Sequence, residues 1–289
     1  MPADPPLPIH LHLGAHRTGT GALAALLRAR SDAVARAGWA MWTPPQTRDG
    51  RLRGLLGDPS RPEDGRAFGR LALRRAELAE AGARRLLVCD PGLLGSPREC
   101  VALARLYPTA RARLRRLSRA TGPVARVTLC VRRLDGWWAS VLADRARRGG
   151  PPPDMHLLDA VAGGDRGWRA VIEAVAEAMP EAAIDVWSWE GPLGGAAAGM
   201  AALTGVDGPA GTPLPAPVRS LPREIAWRLR MLHRSDMIWL RDGADGLVRY
   251  RGGDGAGREE GDEGHRRVEG PGGDVDRAGG GGTPGTPAR

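Results

Sequence analysis

The chain has 289 residues, with 42 basic side chains against 33 acidic ones and a formal net charge of +9. Every basic residue is arginine and asparagine is absent, which is the usage expected from codons rich in G and C. The positive balance therefore reflects coding bias as much as a polyanionic partner. The length excludes a mini-protein, and a hydrophobic fraction of 42% excludes wholesale disorder.

Strand-like and helix-like segments alternate over residues 1–250. Apolar runs predict strands at 9–13, 86–90, 126–132 and 184–189. Helical spacing of apolar residues predicts helices at 22–37, at 66–85, at 98–119 with a candidate break at Pro108, and at 135–148, 168–179 and 222–240. Strands that alternate with helices pair in parallel and are covered on both faces. The sequence therefore predicts one α/β domain with three layers, in which helices flank a central, mainly parallel sheet.

The last segment, 251–289, differs from the rest of the chain. It is rich in glycine, carries six arginines against eight acids, and has Val268 and Val275 as its only sizeable aliphatic side chains. Such a stretch buries too little apolar surface to offset the entropy of ordering it. A Gly-rich disordered tail is predicted for 251–289.

The three cysteines, Cys89, Cys100 and Cys130, are too few and too scattered for a disulfide framework or a zinc site. The N-terminal segment lacks the basic start of a signal peptide, and no apolar run approaches the ~20 residues that cross a bilayer. These features predict a cytoplasmic protein with reduced thiols and no transmembrane segment.

Residues 9–23, which read IHLHLGAHRTGTGAL, join a strand to a helix through a tight loop. Backbone N–H groups and a helix dipole converge at such a junction and favour an anion such as phosphate. Arg17 adds a permanent positive charge, and Thr18 and Thr20 add hydroxyl donors. The alternative interpretation is a plain strand–helix turn. A nucleotide triphosphatase loop would place Lys and then Ser or Thr after Gly19, where this chain has Thr20 and Gly21, and that counts against an ATPase or GTPase.

A second segment, 127–140, reads VTLCVRRLDGWWAS. Arg132 ends the predicted strand, Asp135 is the candidate N-cap of the next helix, and Ser140 lies inside that helix. A guanidinium at the end of a strand can bind phosphate through two hydrogen bonds while the hydroxyl closes the same pocket. The alternatives are that Arg132 and Arg133 are ordinary surface arginines, or that Arg133 is the ligand if the strand register differs by one.

The loop resembles the 5′-phosphosulfate loop of bacterial sulfotransferases, which reads roughly Gly-x-His-Lys-Thr-Gly-Thr-Thr. The matching residues are His16, Thr18, Gly19 and Thr20, whereas Arg17 replaces the usual lysine and Gly21 the usual Thr or Ser. The spacing of Arg132 and Ser140 is similar to the second signature of that family. Arginine keeps the charge but is larger and forked, and Gly21 loses one hydroxyl.

The resemblance implies a P-loop-type fold and transfer of a sulfuryl group from 3′-phosphoadenosine 5′-phosphosulfate to a hydroxyl or amine acceptor, such as a carbohydrate or lipid head group, without a metal. Arg17, Thr18, Gly19, Thr20, Gly21 and Ala22 would then bind the 5′-phosphate, with Arg17 also assisting its departure. Arg132 and Ser140 would hold the 3′-phosphate.

Two residues are candidates for the general base that takes the proton of the acceptor. Asp90 ends the strand 86–90, where the related proteins have an acidic pair that faces the acceptor; its alternative role is to cap a turn. His16 is the other candidate because histidine titrates near neutral pH, and its alternative role is to order the loop backbone.

Two other functions compete with sulfuryl transfer. One is a P-loop kinase or nucleotide triphosphatase that uses Mg-ATP, and the other is an inactive protein that binds nucleotides or polyanions through its arginines. Arg111, Arg115 and Arg119 share one helix face and could attract a polyanion, but a solvated arginine face is favoured, so no specific nucleic acid is expected. His10 and His12 lack a nearby third ligand for a metal. The oligomeric state is left open.

Overall fold

The computed structural model describes residues 7–52, 55, 65–209 and 221–252. The strands are β1 (Ile9–His12), β2 (Trp39–Trp42), β3 (Arg85–Cys89), β4 (Arg126–Val131), β5 (Ala183–Ser188) and β6 (Arg249–Tyr250). Within the described residues they form one sheet in the order β2-β3-β1-β4-β5-β6, and each neighbouring pair is parallel. The chain moves from β1 towards β2 and β3 on one side and then crosses to β4 on the other.

Helices connect the strands. They are α1 (Thr20–Ala29), α2 (Ser31–Arg36), α3 (Pro44–Gln46), α4 (Gly65–Glu80), α5 (Pro97–Ala102), α6 (Ala110–Thr121), α7 (Leu134–Arg147), α8 (Met155–Ala162), α9 (Trp168–Ala178), α10 (Ala196–Thr204) and α11 (Arg223–Arg241). Short 3-10 turns lie at Pro91–Leu94, Pro192–Gly194 and Ala244–Gly246, and a π-helical segment lies at Thr47–Arg51. No helix in the described part of the chain is long and apolar enough to cross a membrane.

The sheet is buried on both faces because its side chains alternate between two apolar cores. Ile9 and Leu11 of β1 belong to the larger core, which α4, α6, α7, α9 and α11 cover. His10 and His12 point to the other face, against Trp39 and Trp187. A second core covers that face and is built with residues of α1, α2 and α10. The predicted three-layer α/β fold with a parallel central sheet is confirmed.

The predicted strands agree with β1, β3, β4 and β5 to within about one residue. The predicted helix at 22–37 is instead two helices that separate at Arg30. The helix predicted at 98–119 is interrupted between α5 and α6, in the region that contains Pro108. Sequence reasoning did not find β2, β6, α8 or α10. The four residues of β2, WAMW, lack β-branched side chains, and α10 consists mainly of alanine and glycine, so neither carries a strong periodic pattern.

Most of the predicted disordered tail, residues 253–289, lies outside the described residues. Its first residue, Arg251, is described and continues the course of β6. The Arg251 N–H donates to the Val186 carbonyl oxygen at 2.8 Å, and its Nε lies 3.1 Å from Asp185 Oδ1. Arg251 is therefore joined to the sheet by these two contacts.

Candidate functional site

The chain leaves β1 and β4 at the carboxyl ends of the strands. After β1 it runs towards β2 and β3, and after β4 it runs towards β5, on the other side of the sheet. Because β1 and β4 are neighbours, their carboxyl ends form the crevice where open α/β sheets bind ligands. A cavity of about 1230 Å³ opens there. Its lining includes His16, Arg17, Gly19, Thr20, Gly21, Ala22, Arg132 and Ser140. The structure thus brings together all of the residues predicted to bind the two phosphates except Thr18, and the adjacency of β1 and β4 explains why they meet.

The loop after β1 is a tight bend that requires unusual backbone angles. Gly19 has φ 75° and caps α1, and Arg17 has φ 68°, which is rare for a residue with a side chain. A Cβ on Gly14 would collide with the Thr20 hydroxyl. Non-glycine residues in the left-handed region cluster at functional sites, where the surrounding structure holds them in place.

The hydroxyls of the loop brace its backbone. Thr18 Oγ1 donates to the Ala15 carbonyl oxygen at 2.6 Å, and Thr20 Oγ1 donates to the Gly14 carbonyl oxygen at 3.0 Å. The structure differs here from the prediction, which had both hydroxyls donate to an anion. Internal donation explains why Thr18 is buried and absent from the cavity lining.

The donors that the loop offers are backbone N–H groups. The Leu23 N–H donates to the Gly19 carbonyl oxygen at 3.1 Å and is the first to be satisfied by α1. Among the described residues, the preceding N–H groups have no hydrogen-bond partner; they belong to Gly19, Thr20, Gly21 and Ala22. Free N–H groups at the start of a helix, together with its dipole, attract negative charge. The four residues that carry them all line the cavity.

Arg17 joins the two motifs directly. Its Nε donates to Ser140 Oγ at 2.7 Å, and its Nη1 lies 3.6 Å from Asp144 Oδ1. Asp144 also pairs with Arg147 and Arg148. The guanidinium of the first loop and the hydroxyl of α7, which are distant in sequence, are therefore in contact before any ligand is bound.

Arg132 is buried at the end of β4 without a carboxylate partner among the described residues. Its Nη1 donates to the Arg17 carbonyl oxygen at 2.9 Å, and its guanidinium carbon lies 4.1 Å from the centre of the Trp189 ring. Arg132 Nε and Trp189 Nε1 are both buried with no hydrogen-bond partner in the described part of the chain. Burial lowers the pKa of Arg132. An unpaired buried cation is costly, and an anion in the cavity would remove that cost.

The structure places the two candidate arginines differently. Arg133 directs its guanidinium to Asp135, with Nη2 and Oδ2 2.9 Å apart, and it does not line the cavity. The prediction that Asp135 is the N-cap is wrong, because Arg133 holds that position and Asp135 lies in the first turn of α7. Although burial opposes it, the hydrogen bond from Arg133 lowers the pKa of Asp135.

His16 is held by two aromatic residues. The His16 N–H donates to Tyr107 Oη at 2.8 Å, and Trp137 Nε1 donates to the His16 carbonyl oxygen at 2.7 Å. Tyr107 Oη also lies 3.2 Å from His16 Nδ1. The phenol is fully buried, and among the described residues Nδ1 is the acceptor within reach of its proton. With the phenol as the donor, His16 Nδ1 accepts and Nε2 carries the proton of the ring.

Burial lowers the pKa of His16 to about 4, so the ring is neutral at pH 7. It lines the cavity, and its Nε2 makes no hydrogen bond within the described residues. A neutral ring with the proton on Nε2 is a hydrogen-bond donor towards the cavity. This arrangement is closer to the loop-ordering role considered for His16 than to the role of a general base.

Asp90 does not line the cavity. Its carboxylate is fully buried and accepts hydrogen bonds from the Thr47 hydroxyl, from Arg48 Nη2 at 3.3 Å and from the Gly92 N–H at 2.8 Å. These contacts cap the turn Pro91–Leu94. The geometry is that of the capping alternative, although Asp90 lies close enough to His16 of the first loop to raise its pKa against the effect of burial.

The charge of the lining indicates the class of ligand. Five arginines line the cavity against one carboxylate, that of Asp144; they are Arg17, Arg98, Arg132, Arg145 and Arg148. Unbalanced positive charge around free N–H groups selects an anion. In the described part of the chain, no group of three or more His, Cys, Asp or Glu side chains is placed to hold a metal.

Sequence reasoning missed four residues of this site. Asp144 and Trp189 contact the two arginines, and Tyr107 and Trp137 hold the loop at His16. In the sequence, only the large aromatic side chains of Trp137, Trp138 and Trp189 could have indicated a site. Such side chains pack in a core as readily as they stack on a ligand, so the sequence alone does not assign their role. Tertiary contact assigns their roles.

Comparison of the chain with protein-family models, with curated proteins and with solved structures finds no match. The geometry of the cavity is therefore the ground for a functional assignment.

Proposed function

We propose that the chain is a sulfotransferase that takes a sulfuryl group from 3′-phosphoadenosine 5′-phosphosulfate and transfers it to a hydroxyl or amine acceptor. One observation carries the proposal. Two motifs that resemble the phosphate-binding signatures of sulfotransferases lie more than a hundred residues apart, yet Arg17 of the first donates to Ser140 of the second at 2.7 Å in one cavity. The adjacency of β1 and β4 brings the two loops together, and the side chains that meet there are the arginine and the hydroxyl that the resemblance expects.

The cavity offers hydrogen-bond donors from both motifs, and a ligand with two phosphate positions requires two sets of donors. Free N–H groups of 19–22 and the Arg17 guanidinium would bind the 5′-phosphosulfate. Arg132, whose Nε is buried and unpaired among the described residues, would bind the 3′-phosphate together with the Ser140 hydroxyl. Binding at Ser140 would compete with the hydrogen bond from Arg17 and release that guanidinium towards the 5′ side.

In the proposed reaction, a lone pair on the acceptor oxygen or nitrogen forms a bond to sulfur. The bond between sulfur and the bridging oxygen of the 5′-phosphate breaks, and adenosine 3′,5′-bisphosphate leaves with the electron pair. Arg17, the loop N–H groups and His16 Nε2–H stabilise the negative charge that develops on the departing phosphate. The acceptor loses its proton to Asp144, the carboxylate that lines the cavity.

Calorimetric titration with adenosine 3′,5′-bisphosphate and with adenosine 5′-monophosphate tests the proposal. We expect the bisphosphate to bind more tightly, and Arg132→Ala to reduce its affinity by about 100-fold, since hydrogen bonds to charged groups contribute about 1.5–3 kcal/mol. Arg133→Ala is the matched control, because Arg133 is adjacent and lies outside the cavity lining. No binding of the bisphosphate, or equal losses in both variants, would refute the proposal.

The alternative function, binding of polyanions, was suggested by the arginine face of α6, and the contacts of that face count against it. Arg111 and Arg115 of α6 both pair with Glu177 of α9, at 2.9 Å and 3.6 Å. The basic face is therefore partly neutralised within the fold. Steeply salt-dependent binding to any polyanion without preference for the bisphosphate would support that alternative.

A further inference from the structure

The cavity is larger than a single small ligand needs. Its volume is about 1230 Å³, whereas small-molecule sites usually measure about 300–1,000 Å³. The loops after β1, β4 and β5 supply the phosphate-binding side. The remaining lining comes mostly from α5, from the second half of α7, and from the chain around the start of α8. We call this part the α5–α8 wall; it has room for an acceptor beside the donor.

The α5–α8 wall is mainly apolar. Its apolar members are Pro97, Val101, Ala102, Val141, Pro151 and Leu157. These six side chains have no hydrogen-bonding groups, so sugar hydroxyls placed against them, and not against the charged members of the wall, would lose contacts with water without replacement. An alkyl chain or a ring gains from the same surface because its burial removes apolar area from water.

Two arginines of the same wall keep their charge unpaired. Arg98 and Arg145 line the cavity and form no ion pair with another described residue. Arg148, by contrast, pairs with Asp144 at 2.8 Å. Cations beside an apolar surface favour a ligand that is itself amphipathic, with a negative group that reaches the guanidinium.

We propose that the acceptor is an amphipathic alcohol, with an apolar body against Ala102, Pro151 and Leu157 and an anionic group at Arg98 and Arg145. The inference rests on the proposed function, because it assigns the α5–α8 wall to the acceptor of sulfuryl transfer. It narrows the acceptor expected from the resemblance, since a neutral carbohydrate fits this wall poorly.

Four probes separate the two parts of the proposal. They are 8-hydroxyoctanoate, which is apolar and anionic; octan-1-ol, which is apolar and neutral; gluconate, which is polar and anionic; and glucose, which is polar and neutral. Each is titrated into the full chain with and without saturating adenosine 3′,5′-bisphosphate. We expect 8-hydroxyoctanoate to bind most tightly and glucose most weakly. Glucose or gluconate binding as tightly as 8-hydroxyoctanoate would overturn the proposal, and so would the absence of binding by all four.

Variants of the wall locate the contacts. Arg98→Ala and Arg145→Ala are each expected to reduce the affinity for 8-hydroxyoctanoate by up to about tenfold and to leave octan-1-ol unchanged. Leu157→Ser, which changes a half-buried apolar residue of the wall, is expected to weaken both. Arg36→Ala is the control, because Arg36 is an exposed arginine of α2 outside the cavity lining. Equal losses for Arg36→Ala and the wall variants would contradict the assignment. If a variant does not fold, the ranking of the probes on the natural chain still decides.

Failure of this inference is distinguishable from failure of the proposed function. If the bisphosphate binds but sugars outrank 8-hydroxyoctanoate, only the acceptor class is wrong. If the bisphosphate does not bind, the sulfotransferase proposal is wrong, and the titrations without it still show whether the wall selects an amphipathic anion.

Discussion

The two ends of the sheet both gather arginines, but they neutralise them differently. At the amino ends of the strands, the buried carboxylate of Asp185 pairs with Arg126, Arg249 and Arg251 at 3.1–3.3 Å. At the carboxyl ends, Arg132 is buried with no carboxylate partner among the described residues. In a chain whose only basic residue is arginine, the number of arginines carries little information. Arg132 is distinctive because it is buried without a carboxylate partner among the described residues and also lines the cavity.

Removal of the carboxylate at the amino end is expected to have the largest effect on stability. Asp185→Ala would leave three arginines repelling one another beside a buried gap, and we expect a loss of about 1–2 kcal/mol in the free energy of unfolding, moderated because those arginines are partly exposed. Urea titration measures it. Arg132→Ala should cost less or even stabilise the fold, since it removes an unpaired buried charge. The opposite ranking would break the contrast between the two ends.

Acidification tests a property that the two ends share. Burial, with Arg126 and Arg85, lowers the pKa of His10 at the amino end to about 4, and burial lowers the pKa of His16 at the carboxyl end to about 4. Burial also lowers the pKa values of His12 and His233 to about 4. Because each histidine binds a proton more readily when the chain is unfolded, its contribution is present above pH 6.5 and is lost as pH falls towards 4.

One carboxyl group opposes this trend. Burial raises the pKa of Asp236 to about 6, so its contribution grows as pH falls from 6 towards 3.8. The lowered pKa values of four histidines outweigh the raised pKa of one aspartate. We therefore expect the free energy of unfolding to decrease as pH falls from 6.5 to 4. Urea titration at several pH values checks this, and a constant or rising stability over that range would contradict it.

Gly21→Thr tests the loop at the carboxyl end. A Cβ added at Gly21 would meet no heavy atom within 4 Å, so a hydroxyl can be placed there without a clash. One added hydrogen bond contributes about 0.5–1.5 kcal/mol, and we expect adenosine 3′,5′-bisphosphate to bind about threefold more tightly. Gly21→Val, similar in size but without the hydroxyl, is the control. A gain in both variants would show that the hydroxyl is not responsible.

Among these changes, Asp144→Asn is expected to have the smallest effect on the affinity for the nucleotide, as distinct from its effect on sulfuryl transfer. The substitution removes the carboxylate beside Arg17 and leaves that guanidinium less neutralised towards the ligand. Because exposed ion pairs contribute about 0–1 kcal/mol, calorimetry should show an affinity for the bisphosphate that is about twofold higher. A weaker affinity would mean that Asp144 positions Arg17, and not that it competes with the ligand.

Much of the fold was predictable because its determinants are local. Apolar runs such as 86–89 and 127–131 are typical of buried parallel strands, and they became β3 and β4. The break at Arg30 had no such signal, since neither glycine nor proline marks it. The strand β2 is stabilised by its place beside β3 at the edge of the sheet, and its own sequence barely indicates a strand.

The site divides in the same way. Arg17, Arg132 and Ser140 were found because each lies in a motif whose spacing is visible in the sequence. Asp90 was assigned a catalytic role because a carboxylate that caps a turn and one that faces a ligand look alike in a sequence. Tyr107 could not be found, because its contact with His16 joins residues 91 positions apart.

The central claim is that the cavity at the carboxyl ends accepts the nucleotide of a sulfuryl donor, and one titration tests it most directly. Adenosine 3′,5′-bisphosphate without metal and ATP with Mg²⁺ are titrated separately into the full chain. The account predicts that the bisphosphate binds at least about tenfold more tightly, because Arg132 and Ser140 add contacts to the 3′-phosphate that ATP lacks. Equal or tighter binding of ATP with Mg²⁺ would contradict the account and favour a kinase or nucleotide triphosphatase.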